Sequence, residues 1–209
     1  MQETVRKLLD TCGHTYAEQA GIRLADKPAP LYRLLVLTVL LSIRIKADIA
    51  VAAARELIRS GFGTPRRMLQ ASWQQRVDAL GRAHYVRYDE STATALGDGA
   101  RLVLDDYRGD LRRMRAAADG DVRELRRLLQ RVPRIGPVGA DIFCREAQAV
   151  WPQLRPYLDR RAREGARRLD LPTDPERLAD LVPSGDLARF SAALVRVTLD
   201  DDLARQVVG

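Results

Sequence analysis

Apolar residues recur at helical spacing almost throughout this chain, and no stretch shows the two-residue alternation of a half-buried strand. Residues 47 to 58 set Ile49, Ala53 and Leu57 on one face, and 66 to 80 do the same with Met68, Leu69, Trp73, Val77 and Leu80. Residues 91 to 107 align Ala93, Leu96, Ala100, Val103 and Tyr107. Further helices are expected around Val122, Leu125, Leu128 and Leu129, around Leu178 and Leu181 after the turn TDP, and around Leu187, Phe190, Leu194 and Val197. Breakers at Lys27-Pro-Ala-Pro30, Gly61-Phe-Gly-Thr-Pro65, Arg108-Gly109 and Leu171-Pro172 cut the pattern into roughly ten helices. No period of 20 to 50 residues recurs, which disfavours a helical solenoid. The expected fold class is therefore all-α.

With 209 residues, 46% of them hydrophobic, the chain can bury a real core as one large domain or two small interlocked ones. The apolar run Leu34 to Leu41 is far shorter than the ~20 residues that a membrane-spanning helix needs, so it is expected to be a buried helix. Met1 leads into a polar helical pattern with no basic-plus-apolar leader, and Cys12 and Cys144 lie far apart without metal-ligand spacing. Free thiols, a cytoplasmic location near the nucleoid and no membrane association are expected. His14 and His84 also lack paired metal-ligand spacing, and no metal site is expected.

Thirty-five basic residues against 28 acidic ones give a net charge of +7, and only Lys7, Lys27 and Lys46 are lysines. Arginine meets phosphate with a planar fork of donors, and neutralising phosphates releases counterions, so the balance suits a nucleic-acid partner. Arginine bias also follows from genome composition, and the charge alone leaves both readings open.

The stretch VPRIGPVGADIF, residues 132 to 143, places two prolines and two glycines between helical patterns. Such a hinge can serve only to turn the chain. It can also bind an anion, because Gly136 and Gly139 allow close backbone approach and the helix that follows begins with unpartnered N–H groups. Pro137 costs little in a first helical turn, and Arg131, Arg134 and Arg145 add charge nearby.

This hinge resembles the helix-hairpin-helix of the DNA glycosylase superfamily related to endonuclease III, whose hairpin typically reads L-P-G-V-G-x-x-T-A. Upstream, LYRLLVLTVLLSIRIKADIAVAAARELI resembles the early helix pair of that family, and TPRRML resembles the T-P-x-x-M-L that follows it. Downstream, RPYLDRRAREGARRLDLP resembles the segment that carries the family's catalytic aspartate. The likeness covers roughly residues 30 to 200. It implies two helical subdomains with a groove between them. Residues 31–150 would form a helical barrel ending in the hairpin at about 125–150, and 1–30 plus 151–209 would form the second subdomain.

On this resemblance Asp159 is the catalytic carboxylate. It also stands where an ordinary helix N-cap would, and the two roles are compatible, since a helix N-terminus stabilises an anion and an anion stabilises an oxocarbenium-like sugar. The DNA contacts implied are Arg134, Gly136, Val138, Gly139, Arg44 and Arg160. Arg44 matches a family glutamine that enters the DNA, and the loop His84 to Tyr88 lies near a second wedge. Tyr157 and Trp151 could stack on an extruded base or belong to the core.

Departures from the family pattern shape the expected chemistry. Bifunctional members carry a lysine two residues after the second hairpin glycine, where this chain has Val138, and valine cannot form a Schiff base. Lys46 is the only lysine in the matched region. Arg134 replaces the hairpin's first glycine and Gly139 its usual threonine. The four-cysteine motif of an iron–sulfur cluster is missing, so no cofactor is expected beyond a monovalent cation at the hairpin. The expectation is a monomeric, monofunctional DNA glycosylase acting on double-stranded DNA and leaving an abasic site. A catalytically inactive relative that binds distorted duplex DNA is the alternative, and a helical interaction module whose arginines are only a solvated face is a third.

Overall fold

A computed structural model describes residues 1 to 208, and every regular element among them is helical. In chain order these are α1 (Gln2–Cys12), α2 (Tyr16–Gln19), α3 (Pro28–Leu41), α4 (Ala47–Arg59), α5 (Pro65–Gln70), α6 (Trp73–Arg82) and α7 (Asp89–Tyr107). They are followed by α8 (Leu111–Ala117), α9 (Val122–Leu129), α10 (Pro137–Ala147), α11 (Arg160–Arg168), α12 (Pro175–Ala179), α13 (Leu187–Arg196) and α14 (Asp201–Val208). Short 3-10 turns lie at Pro152–Leu154 and Ser184–Asp186. No described helix is long and apolar enough to cross a membrane.

The chain forms two compact units, Ala17–Phe143 and a second made of Met1–Tyr16 with Cys144–Gly209. These limits, 16/17 and 143/144, differ from the expected 30/31 and 150/151, because they fall within α2 and α10 rather than at loops. A helix shows no break in sequence where its neighbours change.

In the Ala17–Phe143 unit, α3 is apolar all round and is buried from Leu31 to Leu40 with the sole exception of Arg33, as a central helix must be. It packs against α4, α7 and α8. Pro28 and Pro30 do not interrupt it, since they sit in its first turn, where a missing N–H costs nothing. The expected helix over 66 to 80 is two helices. Ser72 starts α6 with a capping box: its hydroxyl accepts from Gln75 N–H at 3.1 Å, while Gln75 Oε1 accepts from Ser72 N–H at 2.9 Å. Arg76, 8% exposed, donates to the carbonyls of Met68, Ala71 and Ala93, which ties the end of α5 to α7.

In the second unit, α1 packs on α13 and α14, and α11 on α13. The core is built from Val5, Leu8, Leu158, Ala162, Ala166, Phe190 and Leu194, and each large aliphatic or aromatic side chain buried there stabilises by roughly 1.5–3 kcal/mol. The α11–α13 crossing is close at Gly165, where a Cβ would come within 1.9 Å of the Leu194 carbonyl oxygen, so only glycine fits.

Candidate nucleic-acid interface

The hinge folds as a tight turn between two helices. Asp121 caps α9 by accepting from Arg123 N–H at 2.8 Å, and Leu125, Leu128 and Leu129 fix its inner face. After α9, Val132 and Ile135 are buried at 1% and 4% exposure and anchor the turn, closed by Ile135 N–H donating to the Val132 carbonyl at 3.1 Å. Between these anchors Arg134 has φ 72, a left-handed conformation that L-residues rarely adopt. Glycine would take this conformation without strain. Arg134 is exposed and makes no ion pair among the described residues.

The two hairpin glycines have different reasons to be glycine. Gly136, whose carbonyl accepts from Ala140 N–H at 2.9 Å, has no heavy atom within 4 Å of where a Cβ would stand, and its φ is not left-handed. Nothing inside the protein demands glycine at 136. At Gly139 a Cβ would lie 2.4 Å from Ser42 Oγ, so this glycine is required by packing of α10 against the loop after α3. That loop also carries Arg44, which is exposed. Val138, 61% exposed, stands in the first turn of α10, where the leading N–H groups have no helical partner and carry partial positive charge.

Two of the three arginines expected to add free charge are already neutralised. Arg131 pairs with Asp106 at 2.8 Å, and Arg145 pairs with Asp159. Arg44, Arg134, Gly136, Val138 and Gly139 lie in the Ala17–Phe143 unit, whereas Asp159 and Arg160 lie in the other.

Asp159 is the N-cap of α11. Its Oδ1 accepts from Ala162 N–H at 2.9 Å, and its Oδ2 accepts from Arg145 at 2.5 Å. Both side chains are buried, at 7% and 6% exposure. The approach to Asp159 is held by the end of α10. Gln148 bonds the Tyr157 backbone through both its side-chain oxygen and nitrogen, Arg155 donates to the carbonyls of Gln148 and Ala149, and Ser191 Oγ donates to the Tyr157 carbonyl. The sequence reading missed Arg145 as the partner of Asp159. The available signal was a lone arginine in an otherwise inward-facing helix, which must find a counter-charge when buried.

For Tyr85 and Trp151 the structure decides between the packing and DNA-contact readings that the sequence leaves open. Tyr85 is fully buried, with its hydroxyl 3.4 Å from Thr92 Oγ1 and its ionisation pushed up by burial, so it is a core residue and not a wedge. Trp151 is also fully buried and cannot stack on a base. Tyr88 is half-buried under the Arg87 guanidinium, 5.3 Å from the ring centre. Lys46 is exposed at the N-cap position of α4. Cys12 and Cys144 are the only cysteines, and no group of three or more His, Cys, Asp or Glu among the described residues could hold a metal. The residues present do not fit a four-cysteine cluster.

The chain is similar in fold to endonuclease III in a trapped covalent intermediate with DNA, at a TM-score of 0.51 and 14% sequence identity, covering 94% of this chain and 85% of that one. No protein-family model matches the chain, and no curated protein does.

Proposed function

We propose that the protein binds duplex DNA through the α9–α10 hairpin and excises a base by hydrolysis, leaving an abasic site. The observation that carries the binding part is the start of α10. Gly136 stands in open space where nothing in the protein requires a missing side chain, beside unpartnered N–H groups and the unpaired cation of Arg134. Such a surface suits one backbone phosphate and reads no base edge. Arg44, exposed on the loop against Gly139, and Arg160, exposed at the start of α11, add cations to the same partner. The fold shared with endonuclease III supports the reading.

In the excision step Asp159 would orient a water at the sugar carbon and stabilise the positive sugar as the base leaves. Val138 supplies no amine in the position of the family's lysine, so water is the nucleophile and the strand stays intact.

A second reading, binding without excision, is favoured by one observation: the Asp159–Arg145 pair. A guanidinium against the carboxylate cancels much of the negative field that a cationic sugar would feel, and both Asp159 oxygens are engaged. A panel of duplexes, each with one lesion or mismatch, incubated with the protein and then heated in alkali, separates the readings. Strand breaks at any lesion support excision. Tight binding of lesion duplexes with no breaks supports the second reading, and absence of both overturns the DNA assignment.

A further inference from the structure

Helix α11 carries Arg160, Arg163 and Arg167 at i, i+3 and i+7, one contiguous stripe on a single face. With Glu164 and Thr173 they line a surface depression of about 430 Å³. Among the described residues none of the three arginines forms an ion pair, in contrast to Arg168 on the same helix, which binds Asp201 at 2.8 Å and the Val197 carbonyl at 3.2 Å. Arg163 Nε is buried and has no hydrogen-bond partner. The Nε atoms of Arg33 and Arg126 share that state, so the stripe is marked by its charge. Three unpaired arginines against the single carboxylate of Glu164 suit an anion as occupant.

We infer that this stripe is a second phosphate-binding site, independent of the hairpin, that holds backbone phosphates of duplex DNA. From Arg160 to Arg167 the helix rises about 10 Å, the length of about three base-pair steps along a duplex axis at roughly 3.4 Å each. Guanidinium forks can bind phosphate oxygens bidentately, and the Thr173 hydroxyl adds a neutral donor. The site takes phosphate rather than bases, because its lining holds no aromatic or apolar platform. Arg163 and Arg167 were not among the DNA contacts expected from the sequence.

The inference rests on the duplex-DNA reading above, and the test separates the two. Duplex affinity is measured across a salt series for the parent, for Arg163→Gln/Arg167→Gln and for Arg163→Lys/Arg167→Lys, with thermal unfolding as the check on fold. The glutamine pair should lose about tenfold in affinity at low salt, and its salt slope should fall by roughly two. The lysine pair should keep most of both, since lysine still neutralises phosphate as a point charge. In the parent, the Arg163 Nε–H resonance should shift when duplex is added. A parent that binds duplex while the glutamine pair matches it in affinity and slope overturns the stripe and leaves the hairpin reading standing. A parent that binds no duplex overturns both.

Discussion

A carboxylate held at 7% exposure by an arginine and a backbone N–H is not free to be replaced by its amide. Asparagine caps helices nearly as well as aspartate, so from sequence Asp159→Asn is expected to leave the fold intact. The structure changes that expectation, because the substitution strands Arg145 as a buried cation, a loss of about 3–5 kcal/mol. Thermal or denaturant unfolding should show it. The double variant Asp159→Asn/Arg145→Gln should recover much of the stability yet stay inactive on any duplex the parent processes, which separates chemistry from folding. If the double variant is as active as the parent, Asp159 is only the cap and ion-pair partner. At Arg134 the reverse trade is expected. Glycine relieves the left-handed backbone at φ 72, so Arg134→Gly should be stabilised by up to about 1 kcal/mol while binding duplex DNA more weakly.

The hairpin glycines give paired predictions. Gly136→Ala meets no atom and should leave unfolding unchanged or raise stability by roughly 0.4–1 kcal/mol, while lowering duplex affinity because the added methyl blocks backbone approach. Unchanged affinity would remove Gly136 from the interface. Gly139→Ala runs into Ser42 Oγ and should destabilise by about 1–3 kcal/mol, with partial recovery when Ser42→Ala removes the hydroxyl. Gly165→Ala meets a backbone carbonyl instead, which no side-chain change can relieve. Among the helices, α4, α7, α9 and α13 were legible because one apolar face repeats over two turns or more. The break between α5 and α6 was not, since Leu69, Trp73 and Leu80 stay in phase across it and only the Ser72–Gln75 capping box marks the restart. Helix α11, whose buried face holds only Ala162, Gly165 and Ala166, was legible only through its N-cap.

At the scale of the whole molecule, the all-α class follows from periodicity, and the fold likeness to endonuclease III agrees with the resemblance carried by three motifs. The limits of the two units were illegible, because 16/17 within α2 and 143/144 within α10 leave no proline, glycine or charge run to read. The candidate interface was legible only as a turn, in the Pro and Gly punctuation of residues 132 to 143. It was illegible where pairing decides a side chain's role, as for Arg131, Arg145 and Asp159, since partners distant in sequence leave no local pattern. Sequence-independent, salt-sensitive binding to duplex DNA is expected of the whole surface, given a net charge of +7 carried almost entirely by arginine.

Hydrolytic excision, the central claim, is tested most directly on a lesion-bearing duplex by following the released free base and the state of the strand in parallel samples, with and without borohydride. The account predicts free base, a strand that breaks only after hot alkali, and no covalent protein–DNA adduct, because Val138 offers no amine at the sugar. Efficient borohydride trapping would contradict the water mechanism and turn attention to Lys46. No free base from any lesion that the protein binds tightly would contradict excision itself.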